Sequence, residues 1–197
     1  MTRRNHTLVI YAHPYSGSFN HAVLESVTSA LERKKRSYDV IDLYADEFDP
    51  RYTAEELALF SEGGTTDPLV EKYQGLLDKA TRLIIIAPIW WSELPGVVKG
   101  FMDKVMKQNW AYDSTNIGVR GRLTHIKQVL VLTTSTAPTW FLKRMAGNSV
   151  GSVFLGTIVR QLGMKGRKWV NYGQVAKGGH ARRAKHLEKV ARLAVKS

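Results

Sequence analysis

Apolar residues in this chain form two alternating patterns, namely short uninterrupted runs and stretches with helical spacing. The run over residues 7–12 predicts a first strand, and Val23, Val27 and Leu31 then recur at the four-residue spacing of one helix face. Residues 40–44 predict a short second strand. The chain therefore opens with a strand, a helix and a strand, which is the order of a unit with parallel strands.

The part of the chain that follows is less regular. Residues 45–68 contain two prolines and two glycines, so we predict an excursion that holds one short helix over residues 54–60. A helix over residues 69–79 comes next. The aliphatic run at residues 83–86 then predicts a third strand over residues 83–87 that is buried on both faces.

The strongest helical signal comes directly after this strand. Its apolar residues all fall on one stripe: Leu94, Val97, Val98, Phe101, Met102, Val105 and Met106. Residues 128–132 predict a fourth strand, residues 168–172 a fifth, and residues 181–195 a closing basic helix. Between the last two strands, helical spacing recurs at Val150, Val153, Phe154, Ile158 and Leu162. Five strand–helix units predict a single α/β domain over residues 1–197, with a parallel sheet between two helical layers.

Unusual residues follow three of the predicted strands, at the carboxyl edge where open parallel sheets bind ligands. Residues 13–20 are rich in hydroxyl groups and lead into a helix, whose free amides and dipole favour a phosphate. The alternative is that Ser18 or Asn20 only caps the helix, and a lone His13 is more typical of a structural hydrogen bond. This loop by itself leaves both roles open.

The other two loops suit a flat ring. Trp90 and Trp91 follow the third strand, where aromatic and backbone groups can contact a planar conjugated molecule; covering the sheet edge or an interface is the alternative. Residues 133–136 are four hydroxyl side chains in sequence, which can hold the polar edge of a ring or make turn hydrogen bonds. Three such loops at one edge favour a ligand with a phosphate and a flat ring.

Composition narrows the chemistry. The chain has no cysteine, which excludes disulfides, thiolate metal sites and thiol nucleophiles, and we expect no metal site. The motifs of dinucleotide and triphosphate binding, of zinc proteases and of α/β hydrolases are missing. Any redox chemistry must therefore come from a bound cofactor.

Charge is unevenly distributed along the chain. Residues 114–197 carry 16 Lys and Arg against one acid, Glu188, whereas residues 1–113 carry 13 against 16. A basic half can attract nucleic acid, an anionic membrane or a phosphate-bearing cofactor, or it can be a solvated face that aids solubility. No apolar run approaches the roughly 20 residues that span a bilayer, so we expect a soluble, cytoplasmic protein.

Three segments occur together in this order: residues 8–14 with Ser18-Phe19-Asn20, residues 88–101, and Asn109-Trp110-Ala111-Tyr112. With this order and spacing, nearly the whole chain resembles the flavodoxin-like NAD(P)H:quinone oxidoreductases. The resemblance implies a flavodoxin-like fold with strand order 2-1-3-4-5. It also implies a tightly bound flavin and a homodimer with active sites at the subunit interface.

The resemblance also implies roles for individual residues. The flavin phosphate would be held by His13, Ser18, Phe19 and Asn20. The isoalloxazine ring would be lined by Pro88, Ile89, Trp90, Trp91 and Ser92. Its pyrimidine edge would meet Thr133, Thr134, Ser135 and Thr136. The substrate would be covered by Trp110 and Tyr112, which reach the neighbouring subunit's site, and would meet Phe141.

Two places depart from the family pattern. Ser135 and Thr136 stand where many relatives have two glycines, which bears on how closely the backbone can approach a flavin. Phe141 stands where better-studied relatives have a tyrosine that helps to stabilise the reduced flavin. We hypothesise that Lys143 or Arg144 supplies positive charge there instead.

The expected activity is ping-pong hydride transfer, in which NAD(P)H reduces the flavin and leaves before a small-molecule acceptor enters the same pocket. FMN is favoured over FAD because the chain is short. The acceptor (a quinone, azo dye, nitro compound or metal ion) and the choice of NADH or NADPH stay open. The alternatives are an accessory flavoprotein that regulates a membrane transporter, with peripheral membrane contact, and a basic module that binds membranes or, less expected, nucleic acid.

Overall fold

The computed structural model describes residues 5–196. Within this range, seven strands follow one another: β1 (His6–Tyr11), β2 (Ser37–Asp42), β3 (Arg82–Pro88), β4 (Tyr112–Thr115), β5 (Gly118–Gly121), β6 (Gln128–Thr134) and β7 (Arg167–Tyr172). Five of them form a parallel sheet in the order β2-β1-β3-β6-β7, and β4 and β5 form a separate antiparallel hairpin. Because the hairpin lies outside the sheet, this order confirms the predicted order 2-1-3-4-5.

Helices cover both faces of the sheet: α1 (Phe19–Arg33), α2 (Ala54–Ala58), α3 (Pro68–Lys79), α4 (Gly96–Val105), α5 (Thr139–Arg144) and α6 (His180–Val195). A π-helix spans Val150–Val159, and two short 3₁₀ turns lie at Phe60–Glu62 and Val175–Lys177. In the described part of the chain, no helix has both the length and the apolar character that crossing a membrane requires.

The two faces of the sheet are separated by the alternation of side chains along each strand. On β1, Leu8 and Ile10 belong to one buried cluster, which also takes in α3, α4 and the π-helix. Val9 belongs to the other, which takes in α1 and α6. Both faces of the central strands are therefore dry, which explains why their sequences are continuous apolar runs.

Some boundaries differ from the sequence prediction. β2 ends at Asp42 rather than at Tyr44, because the Asp42 carboxylate accepts hydrogen bonds from the amides of Tyr44 and Ala45 and starts a turn. Helix α4 begins at Gly96, since Pro95 precedes its first residue as the cap. The predicted helix over residues 54–60 ends at Ala58 and continues as a 3₁₀ turn.

Three features were not predicted. They are the hairpin of β4 and β5, the short helix α5, and the wide π-type hydrogen bonding of the helix over Val150–Val159. The hairpin strands are four residues each and half exposed, so they carry little apolar periodicity. The apolar spacing of the π-helix predicted a helix correctly but cannot distinguish its type.

The excursion between β2 and α3 is fastened by a buried ion pair. Lys107 Nζ lies 2.9 Å from Glu56 Oε2, and both side chains are buried. Glu56 also accepts hydrogen bonds from Thr65 and Thr66. Burial alone would raise the pKa of Glu56, but these bonds outweigh burial and hold the pKa at about 2. Glu56 therefore stays ionised, and the stability of the segment between β2 and α3 depends on Lys107 as its counter-ion.

We predict that Lys107→Met lowers the free energy of unfolding by about 3–5 kcal/mol, because it leaves the Glu56 carboxylate buried without a counter-ion. The measurement is urea denaturation at neutral pH. Lys99→Met is the matched control, since Lys99 forms an exposed ion pair with Asp103 within α4. Loss of this exposed pair is expected to cost less than about 0.5 kcal/mol. Equal losses in the two variants would contradict the prediction.

Candidate functional site

The loops that follow β1, β3 and β6 meet at Thr134. Its Oγ1 accepts a hydrogen bond from Asn20 Nδ2 at 2.9 Å, and its carbonyl accepts one from the Ile89 amide at 2.7 Å. Asn20 lies in the first turn of α1, and Ile89 is the first residue after β3. The structure thus brings together, at the carboxyl edge of the sheet, the three loops that the sequence indicated.

The first loop ends in an open helix terminus. Ser18 caps α1, because its Oγ accepts a hydrogen bond from the His21 amide at 3.1 Å. The amides of Phe19 and Asn20 lie in the first turn, where no carbonyl of the helix can accept from them. Capping and anion binding are therefore compatible here, since the cap satisfies one amide and the dipole favours negative charge in front of the others.

Asn20 carries the most specific signal of this loop. Its side chain is 3% exposed, and its Oδ1 has no hydrogen-bond partner. A buried carbonyl oxygen without a donor costs about 1–3 kcal/mol, so a ligand hydroxyl or N–H placed beside it would be stabilised. The residues thus fit a group that offers both a phosphate and hydroxyl donors.

His13 begins the first loop and lies beside the second. Its Nδ1 accepts a hydrogen bond from the Tyr15 amide at 3.1 Å, and its ring centroid is 6.3 Å from that of Trp90. Burial lowers the pKa of His13, more than the Tyr15 contact raises it. The imidazole is therefore neutral at pH 7, with Nε2 as its remaining hydrogen-bonding atom.

The second loop is a tight turn with two residues in the left-handed region. Trp90 and Glu93 exchange backbone hydrogen bonds of 2.9 and 3.0 Å, while Trp91 and Ser92 have φ values of 51° and 64°. A bulky side chain at positive φ is strained. Hydrogen bonds of the turn and of Ser149 to the Ser92 carbonyl hold this conformation, but the Trp91 indole is fully exposed, so its own burial does not offset the strain. The turn presents an indole to a ligand or to a second molecule.

The third loop offers fewer hydroxyls than its sequence suggested. Thr133 and Thr134 lie inside β6 and are buried, and Ser135 is buried beside them. Thr133 Oγ1 accepts from Trp169 and donates to Asn171, and Ser135 Oγ donates to the Ala137 carbonyl at 2.7 Å. These hydroxyls are bound within the protein. The exposed Thr136, with its side chain and backbone groups, is what the loop offers to a ligand.

The residues assigned to the substrate are split between two places. Phe141 lies on α5, next to the third loop, and is partly exposed. Trp110 donates through Nε1 to Asp78 near the end of α3, and Tyr112 starts the hairpin. Within one chain Trp110 and Tyr112 therefore do not join the carboxyl edge.

The basic residues of α5 are close to the third loop. Lys143 Nζ lies 5.4 Å from the centre of the Trp169 ring, and Trp169 donates to Thr133 at 2.8 Å. Both Lys143 and Arg144 are exposed on α5. Lys143 contacts the Trp169 ring, which lies behind the third loop. Clusters of His, Asp or Glu that could bind a metal do not occur among residues 5–196.

A family model described as a flavodoxin-like fold matches residues 5–195. The chain belongs to this family. NAD(P)H dehydrogenase [quinone] 1 of Cavia porcellus is 29% identical over 166 residues, which cover 75% of this chain and 60% of that protein. The chain therefore spans well under the full length of this curated relative.

Two solved structures match the flavodoxin-like chain over most of its length. Smu.1420 from Streptococcus mutans UA159 is 30% identical, with a TM-score of 0.84, and covers 96% of this chain and 98% of its own. An NAD(P)H:quinone oxidoreductase from Methanothermobacter marburgensis is 27% identical, with a TM-score of 0.85, and covers 97% of this chain and 98% of its own. The likeness thus extends over the entire sheet.

Sequence reasoning missed the residues that support the flavodoxin-like site from behind. Phe19 packs on Tyr172, with ring centroids 4.7 Å apart. The ring centroid of His186, on α6, lies 4.8 Å from that of Tyr172. Asn171 contacts the third loop. A polar residue beside the buried Val170, at the carboxyl end of a strand, was the available signal for Asn171. Tyr172 and His186 gave none, because their positions also suit a plain core.

A concave region of this flavodoxin-like protein lies at the opposite, amino edge of the sheet. It has a volume of about 550 Å³ and is bordered by Arg82, Lys127 and His125. The Arg82 guanidinium donates to the carbonyls of Leu193 and Ala194 at the end of α6, so it is committed to the fold. No Phe, Tyr or Trp borders this cleft, so the carboxyl edge is the candidate functional site.

We predict a pH-dependent stability from His186. Burial, with the nearby cations Lys189 and Arg182, lowers the pKa of His186 to about 4. The unfolded state therefore gains a proton near pH 6.5 that the folded state does not accept, so stability is complete above that pH and falls by about 3 kcal/mol towards pH 4. Urea denaturation across this range should show a shallower pH dependence for His186→Phe. Identical slopes in both proteins would contradict the assignment.

Proposed function

We propose that this chain is a flavin-dependent NAD(P)H oxidoreductase of the quinone reductase type, built on one flavodoxin-like domain, with FMN as its resident cofactor. The observation that carries the proposal is the junction at Thr134, which gathers an open helix terminus, an unpartnered Asn20 Oδ1 and a strained, exposed Trp91 at one edge. The names of the relatives from Cavia porcellus and Methanothermobacter marburgensis support the same activity.

The residues divide by the part of the cofactor that each would hold. The first turn of α1, with Ser18, Phe19 and Asn20, would bind the phosphate. The guanidinium of Arg183, 6.0 Å from the centre of the Phe19 ring, adds positive charge at this terminus. The loop from Pro88 to Ser92 would line the flat ring, and the backbone at Thr136 would meet its polar edge.

A bound flavin would supply the two-electron chemistry, taking a hydride from NAD(P)H and delivering it to an acceptor in ping-pong order. The chain's part is to bind and orient. The neutral His13 stands between the phosphate loop and Trp90, and its Nε2 can take part in one further hydrogen bond. Lys143, held over Trp169, places a positive charge near the third loop, which favours negative charge developing on a ligand there.

A homodimer completes the proposal. Large apolar side chains are exposed near the carboxyl edge: Trp91, Trp140, Phe141 and Met145. Trp110 and Tyr112 lie away from this edge in their own chain, so they can cover a site only in another copy. The acceptor is a small molecule, with quinones favoured by the names of the relatives, and the two electrons can come from NADH or NADPH.

The test of the proposal is direct binding. We expect the purified protein to be yellow, or to take up FMN with quenching of flavin fluorescence, and to oxidise NAD(P)H only when an acceptor is present, with parallel double-reciprocal plots. Protein that stays colourless with excess FMN or FAD would overturn the proposal. Salt-sensitive binding of such protein to liposomes or DNA would favour the basic module.

The variant Asn20→Ala tests whether the buried Asn20 Oδ1 contacts the cofactor. We expect the Kd for FMN to rise about tenfold or more, because the variant removes the buried oxygen that awaits a donor. Fluorescence titration measures the Kd. Asn116→Ala is the matched control, since Asn116 is an exposed asparagine in the turn between β4 and β5, and its Kd should equal that of the unchanged protein. An unaltered Kd for Asn20→Ala would remove Asn20 from the site.

Analytical ultracentrifugation tests the dimer. We expect twice the mass of one chain at micromolar concentration with FMN bound, and weaker association for Trp91→Asn, because this change removes an exposed apolar contact while asparagine tolerates the positive φ. A measured mass equal to one chain at all concentrations would contradict the dimer. It would not bear on flavin binding, which the FMN titration tests separately.

A further inference from the structure

Asn171 links three points of the third loop from behind. Its Nδ2 donates to Ser135 Oγ at 2.8 Å and to Thr139 Oγ1 at 2.9 Å, and its Oδ1 accepts from Thr133 Oγ1 at 2.8 Å. One side chain on β7 thus joins the end of β6, the first residue of the loop and the start of α5. Three of its four hydrogen-bonding positions are used, so its orientation is fixed.

The backbone at this junction is equally tight. Asn171 lies directly opposite Thr133 in the register of β6 and β7. Just beyond it, a Cβ on Gly173 would lie 2.8 Å from the Thr139 nitrogen and 3.0 Å from the Ala137 oxygen, which leaves no room for a side chain. The loop therefore rests on the end of β7, and its position follows that of the strand.

The network also decides what the loop shows to a ligand. Because Ser135 Oγ is bound by Asn171 and in turn donates to Ala137, its hydroxyl points into the protein. Ser135 is 3% exposed although a serine is an ordinary surface residue. The Ser135 amide and carbonyl are themselves bonded to Tyr172 and Val175, so the network holds the exposed Thr136 in one defined arrangement at the carboxyl edge.

We infer that Asn171 is a positioning residue for the flavin: it fixes the backbone dipoles of the third loop against the polar edge of the ring. This inference rests on the proposed function. Backbone dipoles held rigidly near a group whose charge changes on reduction stabilise the two redox states unequally. Asn171 then acts on both the affinity for the cofactor and its midpoint potential, although it lies behind the loop and touches only protein.

The experiment compares Asn171→Ala and Asn171→Asp with Trp169→Phe. Asn171→Asp keeps the side-chain size and the acceptor for Thr133 but removes both donors. Trp169→Phe is the matched control, because it keeps an aromatic ring beneath Lys143 and removes a hydrogen bond to the same Thr133 without touching Ser135 or Thr139. If Asn171→Ala does not fold, Asn171→Asp carries the comparison.

Three readouts are needed. The first is the Kd for FMN, expected to rise about tenfold in both Asn171 variants relative to Trp169→Phe. The second is the two-electron midpoint potential, expected to shift by about 30 mV, which corresponds to a tenfold change in relative affinity for the two redox states. The third, on flavin-free protein, is amide hydrogen exchange over residues 134–140, expected to accelerate only in the Asn171 variants.

The outcomes separate this inference from the proposed function. A Kd and a potential equal to those of Trp169→Phe, in a protein that does bind FMN, would overturn the role of Asn171 and leave the oxidoreductase proposal standing. Failure of the unchanged protein to bind FMN or FAD would overturn both. Unchanged exchange of the loop in the Asn171 variants would overturn the inference whatever the cofactor result.

Discussion

The structure depends on β3 being buried on both faces at the centre of the sheet. Residues from Leu83 to Ala87 are almost fully inaccessible, so their backbone groups must pair with β1 on one side and β6 on the other. This pairing aligns the carboxyl ends of three neighbouring strands. The loops that follow these strands start close together. Thr134, at the end of β6, can therefore bond to both of the other loops, through Asn20 and Ile89. The site is a consequence of that alignment.

The sequence predicted the parts of the fold that periodicity controls. The apolar runs of β1, β3 and β6 and the helical stripe of α4 were recognised because burial dictates their residues. The hairpin of β4 and β5 was missed because its strands are short and half exposed. The end of β2 was displaced because Asp42, a polar residue, decides it through hydrogen bonds to the amides that follow.

The site was predictable as a set of loops but not in its orientation. A strand places consecutive side chains on opposite faces, and four hydroxyls in a row cannot all point to one ligand. Thr133 and Ser135 face Asn171, whereas Thr134 faces Asn20, and only the structure reveals the partners that each has. Asn20 could be named from sequence as a helix-terminal residue, yet its unpartnered oxygen is a property of the folded packing.

The strand order gives the uneven charge of the chain a direction in space. The order β2-β1-β3-β6-β7 places the strands of the mildly acidic part at one end of the sheet and the strands of the basic part at the other. The charge of the strands therefore changes along the carboxyl edge, from net negative on β2, with Asp39 and Asp42, to net positive on β7, with Arg167 and Lys168. An anion that approaches within about 10 Å at 0.1 M salt experiences the electric field of these charges. The field orients the anion relative to the protein before any contact forms.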